Sequence, residues 1–366
     1  MIRTAYRLNP KPGSGLHLGR EGLDQETSAE SFPSDSFFSA LIATLVTVDP
    51  DVVTEFMAQW PQGDPVSEPP FRLSSLFPIA GDLPLLPMPR LRANLGNEQR
   101  TGIAKALKQL AYVSPAILER LLTGAPLDAW LPEDGGPAKK GLMLQDGKVW
   151  ISREEVELLP PPWQKFGDKK LHDTPIWKVQ PVPRVAVDRV TNRSNIFQVG
   201  RTVFAEGCGL WMLADINREG ALLEKLLDVI SDEGIGGERS SGYGTFHWRR
   251  IDAPALPSAD RTNHVMALSR YNPTPGEWEA GVLGAGASYE LVDIGGWMAA
   301  PGLPAQRRKR VRLIEAGSVL VNTGPVTGRI VDVRPEYDQE GIGAPAHPVY
   351  RSGIALVIGV PGGTDG

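Results

Sequence analysis

A chain of 366 residues, 41 % apolar and 22 % charged with a formal net charge of −5, has the material for one large or two ordinary domains. That charge excludes a surface that is basic all over, but not a local basic groove. The 40 glycines and 33 prolines, a fifth of the chain, exclude a helical bundle; with no collagen-like period, they point to turns and long loops on an α+β scaffold.

Residues 2–8 alternate Ile2, Thr4, Tyr6 and Leu8 on one face, the period of a strand. A helix follows, with Ser34 as its expected N-cap and Phe37, Phe38, Leu41, Ile42, Leu45 and Val46 on one stripe. Pro50 stops it. A shorter amphipathic segment carries Val52, Val53, Phe56, Met57 and Trp60. From about residue 61 to 183 the character changes, with the strand-like FRLSSLFPI (71–79) near its start, and about 80–180 reads as a large insertion. It contains Pro-rich turns and two short helical patterns. One lies near 98–110; the other has Ser114 at the cap, Pro115 at the first helical position and Gly124 past the end.

Two adjacent strands are expected near 195–206 and 208–216, then a helix from Asn217 to about Asp232 with Leu222, Leu223, Leu226, Leu227, Val229 and Ile230 as its core stripe. Gly234 suits the helix end. The loop GIGGERSSGYG (234–244) then leads into a strand over 245–251. The order β-α-(insertion)-β-β-α-β is that of a ferredoxin-like (RRM-like) domain. Residues 252–262 read as a linker. The β-rich remainder, 263–366, lacks a long helix and reads as a reduced second copy of the same fold.

The single cysteine, Cys208, excludes a disulfide framework and a cysteine-based zinc site, and its small apolar neighbours suit a buried, inert thiol. The first twenty residues lack the apolar run of a secretory signal. No apolar stretch approaches the roughly 18 residues that span a bilayer. The expectation is a cytoplasmic protein with no membrane contact.

Three segments carry chemistry. In the Gly-rich loop, Gly236, Gly237 and Gly242 leave the backbone bare enough for a phosphate chain to approach. Arg239 adds charge, Ser240 and Ser241 add hydroxyl donors, and Tyr243 adds a face for a base. The loop is neither a Walker loop nor a dinucleotide fingerprint, because it follows a helix and opens a strand. A purely structural connection is the alternative. The second segment, residues 178–201, is locally basic, with Arg184, Arg189 and Arg193 and the amides of Asn192 and Asn195. It could track an RNA backbone or be a solvated loop. The third, 305–320, holds the densest positive cluster, including Arg308 and Lys309, and could meet phosphate or protect a strand edge.

Catalytic signals are thin. The histidines show no metal-ligand spacing, no GxSxG is present, and no cofactor or metal is expected. His17, flanked by glycines in GSGLHLG, is the best candidate for a general base; a hydrogen-bonding loop histidine is the alternative.

Together, the Gly-rich loop, GLHLG (15–19), PSDSFFSAL (33–41), LSSLFP (73–78), PRVAVDRVTNRSNIFQVGRTVF (183–204) and RVRLIEAGSVL (310–320) resemble the repeat-associated (RAMP) superfamily of CRISPR proteins. Within it, they resemble the Csm-type subunit four (Cas-five group) of type III-A effector complexes; the equivalent subunit of type III-B complexes, a paralogue with the same role, is similar to it. The resemblance implies two ferredoxin-like domains and a non-catalytic subunit that grips the 5′ repeat-derived tag of the CRISPR RNA. It also implies docking onto a large polymerase-like (Palm-domain) subunit and a backbone RAMP subunit. His17, the Gly-rich loop and the Arg184–Arg193 segment would line the RNA channel, and a thumb-like hairpin would lie in the insertion. The competing expectation is a metal-independent CRISPR RNA-processing endoribonuclease of the same fold using His17.

Overall fold

The computed structural model describes residues 1–19, 27–63, 67–96, 107–131, 139–187, 194–298, 306–335 and 347–362. Strand β1 (Ile2–Pro10) is followed by helices α1 (Ser34–Val48) and α2 (Val53–Ala58), then by β2 (Phe71–Leu73), β3 (Phe77–Ala80) and β4 (Leu83–Pro84). Next comes a small subdomain of β5 (Leu86–Pro87), β6 (Tyr112–Val113), α3 (Pro115–Thr123), β7 (Gly141–Leu144), β8 (Val149–Ser152) and α4 (Asp168–Asp173). Two long strands, β9 (Trp177–Val187) and β10 (Ser194–Phe204), lead to β11 (Cys208–Ile216), α5 (Gly220–Glu233) and β12 (Phe246–Ile251). The C-terminal region holds β13 (His264–Ala267), α6 (Pro275–Glu279), β14 (Leu291–Ile294), β15 (Trp297–Met298), β16 (Gln306–Arg307), β17 (Val311–Ile314), β18 (Val319–Val321), β19 (Gly328–Asp332), β20 (Tyr350–Ile354) and β21 (Val357–Val360).

The main sheet runs β12-β1-β11-β3-β4, with β2 also on β11, and its pairings are antiparallel. Its four long-range strands therefore stand in the order fourth, first, third, second, as in the β-α-β-β-α-β arrangement. The second strand is the stretch 71–80. The strand expected at 195–206 does form, but as β10 it pairs with β9 over eleven residues, outside the main sheet. The physical reason is that a two-residue alternation specifies a strand without specifying its neighbour.

Alternation along the strands explains the two layers. Tyr6, Leu8, Leu210 and Met212 face Phe37, Leu41 and Leu45 of α1 and Leu223, Leu227 and Ile230 of α5. Ala5, Phe77, Ile79, Trp211 and Leu213 face the opposite way, onto Leu86, Leu118, Val149 and Trp150 of the insertion and onto Met266, Leu268 and Leu356 of the C-terminal region. With both faces covered, β11 is buried over nearly its whole length, which is why CGLWMLADI reads as a continuous apolar run. The open sheet face on which an RRM stacks bases is thus occupied by protein. Any nucleic acid must meet the loops and edges instead.

Several local expectations are refined. Pro33, extended at φ −62° and ψ 145°, holds the cap position of α1; the Ser34 hydroxyl instead accepts the Arg270 backbone N–H at 2.8 Å. Val46 is exposed, beyond the stripe. Helix α3 starts at Pro115 and ends at Gly124 in the left-handed conformation, φ 68°, as the spacing predicts. Residues 98–106 of the helical pattern near 98–110 lie outside the described residues. Cys208 is buried, and burial pushes its thiol up to about 12, which makes it inert.

The insertion leaves and rejoins the sheet at one clamp. Arg7, on β1, donates to the carbonyl oxygens of Gly81 at 2.6 Å and Gly207 at 2.8 Å, while Gly81 N–H donates to Gly207 at 3.0 Å. A second buried cluster ties α1 to the C-terminal region. Asp35 is fully buried and accepts from Arg270 at 3.0 Å and Arg351 at 3.1 Å; Arg270 also donates to Glu315. Around β13 the sheet order is β18-β13-β21, and β19–β20 forms a ribbon beside α1. No helix among the described residues is long and apolar enough to cross a membrane.

Candidate nucleic-acid interface

The Gly-rich loop is built against the GLHLG segment, backbone to backbone. Gly237 N–H donates to the His17 carbonyl at 2.8 Å, and Gly244 N–H donates to the Gly15 carbonyl at 2.9 Å. A Cβ on Gly236 would stand 2.5 Å from the His17 oxygen, and one on Gly237 would stand 2.7 Å from the His17 ring. Gly236 also has φ +84°, so side chains are excluded there by space and by backbone alike. These two glycines are therefore needed for close packing as well as for turning.

The same GLHLG segment leans on β10 from its other side. Leu16 and Thr202 exchange backbone hydrogen bonds at 2.9 and 2.8 Å. The His17 Nδ1 donates to the Gly200 carbonyl at 2.7 Å, since that oxygen can only accept. The result is a three-part wall: Gly-rich loop, GLHLG, base of the β9–β10 ribbon.

Two arginines of the ribbon close around Tyr243. Cross-strand register pairs Arg184 with Phe197 and Arg201 with Gln180, so both guanidinium groups project from one ribbon face. Each lies 5.4 Å from the Tyr243 ring centroid. Arg184 also stands 3.7 Å from the Glu238 carboxylate, and Arg201 donates to the Gly13 carbonyl at 2.6 Å. In both arginines the Nε is buried and has no partner among the described residues. A buried donor without an acceptor is costly unless something arrives to accept from it.

The outer turn of the loop is a single 3₁₀ turn, Arg239–Ser241, flanked by Glu238 at φ 58° and Gly242 at φ 79°. Arg239, the Ser240 and Ser241 side chains and Gly242 all face solvent. The wall therefore presents backbone, hydroxyls and cationic groups on one side of the molecule.

Residues 260–360 match the family described as CRISPR Csm4 C-terminal domain. Proteins described as CRISPR system Cms protein Csm4 align along nearly the whole chain: that of Mycobacterium tuberculosis (strain CDC 1551 / Oshkosh) is 28 % identical over 353 residues, 94 % of each chain. That of Methanocaldococcus jannaschii is 24 % identical, covering 96 % of each. This chain matches the Csm4-type CRISPR subunits. The Csm4 match extends to the fold. A chain of the crystal structure of the Csm3–Csm4 subcomplex in the type III-A CRISPR-Cas interference complex superposes with a TM-score of 0.63 at 18 % identity, over 98 % of this chain and 99 % of that one. A chain of the Csm1–Csm4 cassette in complex with cA4 gives 0.51 at 19 % identity, over 98 % of each.

Among the residues expected to touch RNA, His17, Arg184, Gly236, Gly237, Arg239, Ser240, Ser241, Gly242 and Tyr243 come together in this wall. Tyr243 departs from expectation. It is only 7 % exposed, with Arg184 and Arg201 over its ring, so it organises arginines and has no free face for a base. Arg189, Asn192 and Arg193 lie outside the described residues. Arg308 and Lys309 belong to the C-terminal region: Arg308 donates to the Gly295 carbonyl at 2.6 Å, and Lys309 N–H donates to Val333 at 3.0 Å.

Sequence alone does not single out Arg201 and Glu238 as site residues. Arg201 closes the basic stretch 178–201, and pairing that stretch with GLHLG would have found it. One group of potential metal donors, Asp146, His172 and Asp173, converges among the described residues. It lies on the insertion, where His172 Nδ1 already faces Asp173 at 3.0 Å in an exposed pair.

Proposed function

We propose that this protein is a non-catalytic, cytoplasmic subunit of a type III-A CRISPR effector complex, and that its Gly-rich wall grips the 5′ repeat-derived tag of the CRISPR RNA. The observation that carries the reading is the pair of buried Nε groups of Arg184 and Arg201, without a partner among the described residues, beside the Arg239–Ser241 turn. Phosphate oxygens supply the acceptors such donors lack, and serine hydroxyls and bare glycine backbone suit a ribose-phosphate chain. The burial of both sheet faces supports recognition by backbone contacts and shape rather than by an RRM-type stacking platform.

We read the β9–β10 ribbon as the thumb-like hairpin, which moves that element from the 80–180 insertion to its C-terminal boundary. The C-terminal region is read as a reduced ferredoxin-like domain after a linker at 252–262, because β13 lies centrally between two antiparallel neighbours. Docking onto a large polymerase-like subunit and a backbone RAMP subunit is the partner assignment, supported by relatives found in Csm1–Csm4 and Csm3–Csm4 assemblies.

The test is to express the chain with its neighbouring genes and to sequence the RNA it retains. The wild type should hold RNA that begins with a fixed repeat-derived tag, and Arg239→Glu should lose at least tenfold of it while melting normally. Unchanged retention would return the loop to a structural role. RNA cut by the purified protein in EDTA, and left whole by His17→Ala, would make the protein an endoribonuclease instead.

A further inference from the structure

Away from the Gly-rich wall, the C-terminal region carries a groove of about 350 Å³ between α6 and the β14–β17 pair. Its rim holds Trp278, 63 % exposed, and the exposed Tyr289; Pro273 and Leu291 are apolar lining, and Arg312 and Arg329 supply its charge. None of the described lining residues is acidic. An exposed tryptophan beside an exposed tyrosine and two arginines is the composition of an interface anchor site.

The rim is rigid. Thr274 and Glu277 form a reciprocal capping box at the start of α6. The buried Glu277 carboxylate also accepts from the Tyr271 hydroxyl at 3.0 Å and from the backbone N–H groups of Thr327 at 2.5 Å and Gly328 at 3.1 Å. The short helix that presents Trp278 is thereby fixed to β19. Little ordering entropy remains to be lost when a ligand binds.

We infer that this groove docks an acidic segment of a partner polypeptide carrying one apolar anchor side chain. Charge selects the acid: among the described lining residues the charged groups are Arg312, already paired with Asp293, and Arg329, and neither is acidic. A nucleic acid fits less well. Arg312 is already held by both Asp293 oxygens, so among the described lining residues Arg329, whose Nε donates to the neutral Asn272 amide oxygen, is left to meet one carboxylate but not a run of phosphates. No row of cations among the described residues follows the groove to track successive phosphates, while its floor is aliphatic. The inference stands apart from the RNA reading, since it uses no residue of the Gly-rich wall.

The full chain would be titrated with a labelled twelve-residue peptide of Asp and Glu around one central Leu, read by fluorescence anisotropy. Controls are the same peptide with central Ser, a Lys-substituted version, and a ten-nucleotide oligouridylate. The acidic Leu peptide should bind at least tenfold more tightly than either peptide control. Trp278→Ala and Arg329→Gln, each checked by thermal melting, should each weaken it at least tenfold. Absent binding, or equal binding by the variants, overturns the inference. So does a loss of oligouridylate rather than peptide affinity in these two variants, which would make the groove a nucleic-acid site. Oligouridylate binding that disappears only on changing Arg184 and Arg201 reports on the other site, so the two readings fail separately.

Discussion

Arg270 and Arg184 show how differently two regions of this molecule use the same side chain. At the junction of α1 with the C-terminal region, Arg270 Nε and both terminal nitrogens donate to Asp35 and Glu315, and the carboxylates sit at 2.8–3.0 Å. At the Gly-rich wall, Arg184 has a 3.7 Å approach to Glu238, an aromatic ring 5.4 Å away and a buried Nε with no acceptor. The first arrangement is complete within the chain and holds two parts of it together. The second is incomplete among the described residues, and an unmet donor on a partly buried cation is where a ligand's acceptors have most to contribute.

The sharpest way to break that comparison is Asp35→Ala. It would leave the buried guanidinium groups of Arg270 and Arg351 without their shared carboxylate, and should cost about 3–5 kcal/mol of stability. Chemical denaturation would measure it, and RNA retained per folded molecule should not change. A wild-type midpoint would mean that the junction is not held by this cluster.

The complementary change, Arg184→Ala with Arg201→Ala, should do the reverse. Stability should fall by no more than about 1 kcal/mol, because both side chains are partly solvated and each carries a buried Nε that no described residue satisfies. RNA affinity should drop, and the slope of log affinity against log salt should flatten by roughly 0.7 for each phosphate that is no longer neutralised. An unchanged salt slope would remove both residues from the RNA interface.

The smallest expected effect lies on the outer face of α5. Glu224 accepts from Arg250 at 2.6 Å and from the Tyr6 hydroxyl at 2.9 Å, and the Arg250 hydrogen bond chiefly holds its carboxyl below the usual range. The unfolded chain then binds this proton more readily than the folded one. Its stabilisation is present above the ordinary carboxylate value of about 4.3 and is lost as pH falls through the lower folded value. Glu224→Gln should flatten the acid limb of a melting-temperature profile and leave neutral pH nearly unchanged.

The fold was legible where periodicity and punctuation act locally. The stripes of α1 and α5, the Pro115 start and Gly124 end of α3, and the buried thiol of Cys208 all follow from residue spacing and chemistry. The strand at 195–206 was legible as a strand but not as the partner of 177–187. A two-residue period carries no record of which edge it will meet. Tyr243 reads from the sequence as a face for a base within the Gly-rich loop; its neighbours in space are Arg184 and Arg201, far earlier in the chain.

The sequence by itself determined the α+β class, the first strand, the two long helices, the last two strands of the main sheet and the candidate status of the Gly-rich loop, because each depends on residues close together in the chain; which segment serves as the sheet's second strand was left to the tertiary structure. Only the tertiary structure decided that GLHLG is wedged between that loop and β10, that both sheet faces are covered, and that Asp35 is a junction residue. Those outcomes depend on side chains brought together from distant parts of the chain, where burial removes water and unmet donors become costly. Local patterns carry no information about which groups will share that dry space.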